Sequence, residues 1–223
     1  MTAELWNEIG IGLLETLYMS AAATALSYVI GLPLGAALAV TDVSGVRPNV
    51  AINKVLGIFV NIFRSVPFLI LFVALIPVTR VIVGTTIGAS ATIVPLVFAA
   101  SPFVARLTES SLKEVDGGVI EAAAAMGASP LRIVCKVMLS EALPSLLTGV
   151  AISFVTILGY SAMAGFCGGG GLGAIAVNYG YYRNNTAVML ITVAIIVVIV
   201  QVVQEAGLKI AKLSDRRKKQ KSK

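Results

Sequence analysis

The sequence predicts an all-α, polytopic membrane protein with five transmembrane helices and a cytoplasmic loop of two short helices between the third and the fourth. Three observations predict it. The chain is 57% hydrophobic and 13% charged, with mean hydropathy +0.93, whereas a soluble domain is about 25% charged. Its charges fall at intervals, and the uncharged runs between them are long enough to cross a bilayer, which takes about 20 apolar residues. One interval breaks that pattern with a polar-ended, alanine-rich stretch from Glu121 to Pro130. No internal repeat or separate soluble domain is evident, so 1–223 reads as one transmembrane domain.

Glu4 and Glu8 precede the first apolar run and no Lys or Arg does, so that run lacks the basic start of a cleaved signal and is expected to remain as a span. No charge falls between Glu15 and Asp42, which places the first span at about 12–40. The second, about 55–77, carries Arg64, which is near enough to its inner end to snorkel towards the cytoplasm. The third, about 86–104, lies in the uncharged run between Arg80 and Arg106. Pro67, Pro77, Pro95 and Pro102 sit in or beside these two spans, where neighbouring groups must satisfy the carbonyls that a proline frees.

Residues 107–142 then form the loop. Alanine is the strongest helix former, so Val119 to Met126 should be helical, and Gly127 should end that helix in a left-handed conformation. Ser129 offers an N-cap and Pro130 a first-turn residue for a second short helix through Leu131, Val134, Val137 and Met138. The uncharged run from Glu141 to Arg183 is too long for one helix. Span four is placed at about 143–163, and the glycine-rich remainder is expected to be a loop. Span five is about 187–203, and the tail 209–223 is strongly basic, fit to contact anionic lipid at about 1 kcal/mol per residue.

Orientation follows from charge. With the N-terminus outside and the C-terminus in the cytoplasm, only Arg80 and Arg183 of the 17 basic residues lie outside. The Glu121 loop is then cytoplasmic, the side where ATP is found. Trp6, Tyr179, Tyr181 and Tyr182 fall at the outer face as interfacial anchors. There is no histidine, which excludes a His-based triad, and Cys135 and Cys167 fall on opposite sides, so no disulfide is expected. Gly168, Gly170 and Gly173 match a dinucleotide fingerprint by number alone, since no strand precedes them. No phosphate-binding loop occurs, so the chain is not itself an ATPase and is expected not to be an enzyme.

In span four, Gly149, Ser153, Thr156, Tyr160 and Met163 share one helical face. Small and hydroxyl residues there allow close helix packing. The same face is a candidate permeation pathway, with Ser153, Thr156, Tyr160 and Met163 as pathway and gate residues and the last two narrowing its outer end. In a pair of identical chains the two readings merge, because paired faces would enclose the route.

Glu121-Ala122-Ala123, then Gly127, then Glu141-Ala142-Leu143-Pro144 resemble the EAA loop of ABC importer permeases. The resemblance extends to Asn61 through Phe68, Ile76 through Thr85, Ile93 through Leu96, Pro102 through Arg106, Gly159 through Met163, Gly170 through Gly173 and Tyr179 through Tyr181. These are similar to the methionine-uptake permeases of that class. One departure is Val137-Met138-Leu139-Ser140, where the family loop commonly closes on a proline.

The resemblance implies a homodimer in the bacterial inner membrane that imports methionine, in both the L and D forms. The loop would be the coupling helix, with Glu121, Ala122, Ala123 and Gly127 docking on a cytoplasmic ABC ATPase present in two copies. A methionine-binding lipoprotein would deliver substrate, ATP and Mg would be held by the ATPase, and this chain would bind no cofactor or metal. Permeases for other amino acids are neighbouring alternatives. An ATP-independent secondary transporter is the alternative of a different class, opposed by the absence of intramembrane acidic residues and of an inverted repeat.

Overall fold

The computed structural model describes residues 3–214. Among the described residues the protein is all-helical: α1 Ala3–Thr41, α2 Val50–Ser65, α3 Phe68–Ala74, α4 Ile76–Val83, α5 Ala89–Lys113, α6 Gly117–Ala125, α7 Pro130–Arg132, α8 Leu139–Glu141, α9 Leu143–Ala164, α10 Gly171–Ile175 and α11 Thr186–Ser214. Two π-helical stretches, Ile133–Met138 and Ala176–Tyr181, join α7 to α8 and extend α10. Beyond residue 214 the expected basic tail lies outside the described residues.

Helices α1, α5, α9 (with the turn that follows it) and α11 are each long and apolar enough to cross a membrane, and α2 with α3 makes a fifth if that bent pair is one span. The bend is 98°. The sequence reading took 55–77 as one span, but Pro67 has no N–H to donate and its ring drives Val66 out of the helical region. Helix α2 therefore stops at Ser65 and α3 restarts at Phe68 in a new direction. Pro77 sits in the first turn of α4, where a missing N–H costs nothing. The glycine-rich segment that was expected to be a loop is one only at 168–170; Gly165–Cys167 form a single 3₁₀ turn before it, and α10 and its π-helical extension follow.

The chain divides into two compact units. The first comprises residues 3–26, 66–100 and 153–204. Its core gathers Met19 and Ala23 of α1, Phe68 and Phe72 of α3, Leu96 and Val97 of α5, and Ile157 and Ala164 of α9. Helix α11 keeps Leu190, Val193, Val197, Val198 and Val202 exposed, as a helix facing lipid or another copy would. Trp6, Tyr181 and Tyr182 are exposed, and the Arg183 guanidinium lies 4.3 Å from the centre of the Tyr179 ring. A hydrogen bond to the Glu8 carboxylate raises the Tyr179 phenol above its ordinary pKa.

The second unit comprises residues 27–65, 101–152 and 205–214. Lipid tails are as apolar as leucine, so helices within a bilayer gain most from close packing. Gly31 and Gly35 provide it, since a Cβ at either position would collide with the backbone carbonyl of Ser101 or of Ala105 on α5. Asn53 of α2 donates to the carbonyl of Leu38 at 2.7 Å, which ties α2 to α1.

Candidate functional site

The predicted coupling segment belongs to the second unit, and its local structure follows from its residues. Asp116 caps α6 by accepting the Gly118 N–H at 2.8 Å. The alanines carry the helix to a C-cap at Met126. Gly127 then adopts φ +79°, a left-handed conformation that costs side-chain-bearing residues about 1–2 kcal/mol. That turn lets Ala128 N–H donate to Ala123 O at 3.1 Å and Gly127 N–H to Ala124 O at 2.9 Å, satisfying two carbonyls left over at the helix end. Ser129 accepts from Arg132 N–H, and Pro130 opens α7.

One face of this helix–turn–helix is anchored. Ala123, Ile133, Val134 and Met138 pack with Leu112 and Val115 and with Ala39 of α1 in a single apolar cluster. Of the four predicted coupling residues, Ala123 is thus a buried anchor, while Glu121, Ala122 and Gly127 are exposed. Two exposed residues escaped the sequence reading. Met126 is 82% and Leu131 74% exposed, one on each side of the Gly127 bend. Large apolar side chains this exposed, on either side of one bend, are candidates for contact with a partner surface. The available signal was their position: each lies four residues or fewer from the one glycine that must turn the chain.

The predicted pathway residues lie on α9 in the first unit. Ser153 is fully buried and its hydroxyl has no hydrogen-bond partner among the described residues, Thr156 and Tyr160 are partly buried, and Met163 is half exposed. The Tyr160 ring stacks on Phe68 of α3, with centroids 4.8 Å apart and planes within 6°. Phe68 begins the helix that Pro67 redirects, so the bend and the aromatic contact are neighbours in sequence. The face therefore runs from a buried hydroxyl, through an aromatic stack, to an exposed thioether.

A second feature of the first unit also escaped the sequence reading. Glu15 accepts the Gly171 N–H at 2.7 Å, and Thr16 accepts the Leu172 N–H at 2.9 Å. These bonds fix the start of α10, whose first amides would otherwise be unpaired. Glu15 is thus a structural acceptor.

Residues 31–209 match the family described as binding-protein-dependent transport system inner membrane component. The chain is 52% identical over 203 residues to the probable D-methionine transport system permease protein MetI of Vibrio cholerae serotype O1, covering 91% of this chain and 90% of that one. It is 46% identical to the corresponding protein of Pasteurella multocida, over 97% of this chain and all of the relative. Among solved structures, it is similar to a chain of the MetNI methionine ABC transporter in inward-facing conformations, with a TM-score of 0.95 and 45% identity over 97% of this chain and 100% of that one. A crystal structure of an amino acid ABC transporter with histidines shares the fold, with a TM-score of 0.71 at 22% identity.

Proposed function

The chain belongs to the family of binding-protein-dependent transport system inner membrane components, and from that membership we propose that it is the membrane-spanning permease subunit of an ATP-driven ABC importer that carries methionine, L and D, into the cytoplasm. The observation that carries the substrate is the likeness, over nearly the whole of both chains, to a chain of a methionine ABC transporter. The permease acts as a homodimer in the inner membrane, with its N-terminus outside and its C-terminus in the cytoplasm. The distribution of Lys and Arg between the two sides supports that orientation.

Two copies of a cytoplasmic ATPase dock on the paired coupling segments, and an extracytoplasmic methionine-binding lipoprotein delivers substrate. ATP and Mg are bound by the ATPase, which performs the hydrolysis; this chain binds neither and is not an enzyme by itself. Met126 and Leu131 enter the ATPase surface, Glu121 and Ala122 lie along it, and Gly127 sets the angle between the two helices. Closure of the ATPase pair draws the segments together, and the Ala123 cluster passes that motion to α1 and α5. On α9, Thr156 lines the route and Tyr160 on Phe68 and Met163 close it, while Ser153, fully buried, packs behind them. Its soft, apolar end suits a thioether.

The docking assignment is tested by Glu121→Lys combined with Leu131→Glu. The variant should assemble in the membrane, lose the ATPase on purification and import nothing. Full ATP-driven uptake by that variant would contradict the assignment.

A further inference from the structure

Glu109 is a buried carboxylate, 7% exposed, on the last turns of α5. Burying a charge is costly unless it is paired, and both of its oxygens are. Arg106 Nη1 donates to Oε2 at 2.6 Å and Lys113 Nζ donates to Oε1 at 2.9 Å. The three residues stand at i, i+3 and i+7 of α5 and so share one face.

Each cation also reaches another helix. Arg106 Nη2 donates to Asn61 Oδ1 at 2.8 Å and to Gly57 O at 3.3 Å, both on α2. Lys113 Nζ donates to Asp42 Oδ2 at 2.7 Å, one residue past the end of α1. Asn53 closes the triangle through the bond from α2 to Leu38 of α1. Glu109 touches neither α1 nor α2 in these bonds; it holds the two cations that do. Two positive and two negative charges balance in the set, so removal of Glu109 leaves one positive charge unmatched and frees both cations to rotate.

The position of this set gives it a role. Lys113 ends α5, and Asp116, the N-cap of the first coupling helix, follows three residues later. Leu112, beside Lys113, packs in the same apolar cluster as Ala123 of that helix. A force on the coupling helix therefore reaches the charged set almost at once. We propose that Glu109 is a positioning residue for energy coupling: through Arg106 and Lys113 it joins the inner part of α5 to α1 and α2, so that displacement of the coupling segment moves three helices together. Without that junction α5 yields alone. The inference rests on the reading of the chain as an ATP-coupled permease.

The test measures methionine imported and phosphate released in the same proteoliposomes, with the permease, its ATPase and the binding protein present. Glu109→Ala should keep hydrolysis and lower methionine imported per ATP by about tenfold, a size usual for coupling between sites. Asn61→Ala, at an exposed position, removes the shorter of the two bonds from Arg106 to α2 and leaves the one to Gly57 O, and should lower the ratio by a smaller factor. Adding Asp42→Asn to Glu109→Ala should change little more, because the shared network is already open.

A merely structural role would lower assembly, hydrolysis and uptake in parallel, and that result overturns the proposal. So does a wild-type ratio in both single variants. If Glu109→Ala does not assemble, the ratio in Asn61→Ala decides alone. A wild-type complex without ATP-dependent uptake would instead overturn the permease reading itself, and the two failures are thus distinct.

Discussion

The carboxylate of Glu15 accepts the backbone N–H of Gly171 at 2.7 Å, across 156 residues of sequence. The bond ties the glycine-rich turn to α1, and the neighbouring bond from Leu172 to Thr16 doubles it. A hydrogen bond to a charged group contributes about 2 kcal/mol. Glu15→Ala should therefore lower thermal stability in detergent by about that amount, and Glu15→Gln, which keeps an acceptor, by less. Identical melting of wild type and Glu15→Ala would contradict the assigned role.

Gly127 has open space around the place a Cβ would occupy, so its requirement is conformational rather than steric. Gly127→Ala should destabilise the bend by about 1–2 kcal/mol, whereas Gly127→Asn should cost less because asparagine tolerates the left-handed region. Hydrogen exchange at the Gly127 and Ala128 amides reads this locally. Equal protection in the alanine and asparagine variants would show that φ is not what matters.

The stack of Tyr160 on Phe68 contributes about 1 kcal/mol beyond burial. Tyr160→Phe preserves the ring and should leave uptake close to wild type. Tyr160→Ala opens the closure and should raise leak of substrate in the absence of ATP. A tight Tyr160→Ala variant would remove Tyr160 from the gate.

Asp42 has its pKa lowered from 3.8 to about 2, chiefly because the Lys113 ammonium donates to it and secondarily through Ser44. A depressed carboxylate stabilises the fold fully above its unfolded pKa and loses that contribution as pH falls through the folded value. The stability difference between wild type and Asp42→Asn should thus be flat from about pH 8 to about pH 5. It should shrink between 3.8 and about 2. Melting curves across that range check it, and a difference that changes near neutrality would point to another group.

Much of this molecule is written locally. Charge-free runs located the long helices α1, α5, α9 and α11, because a bilayer sets the length that such a run must have. Asp116 was not anticipated as a cap, but Gly127, Ser129 and Pro130 announced the bend through their own conformational preferences. What stayed hidden depends on distant partners. Nothing around Glu15 tells which amide will face it, and nothing around Arg106 or Lys113 tells that they will reach Asn61 and Asp42, since those contacts join distant parts of the chain. Pro67 was visible, but the sequence could not say whether the following segment would resume the same axis or turn by 98°. Within the glycine-rich remainder, 168–170 do form a turn, but the chain is helical from Gly171 onward, because close approach of Gly171 to Thr16 and Met19 of α1 and a carboxylate acceptor fix the start of α10.

ATP-driven methionine import through this chain is measured as uptake of labelled L-methionine into proteoliposomes that hold the chain with its co-purifying ATPase, with binding protein on one side and ATP on the ATPase side. Uptake should require ATP and be competed by excess methionine but not by histidine or arginine. Uptake that proceeds without ATP, in a preparation free of ATPase, would contradict it and make the chain a secondary transporter.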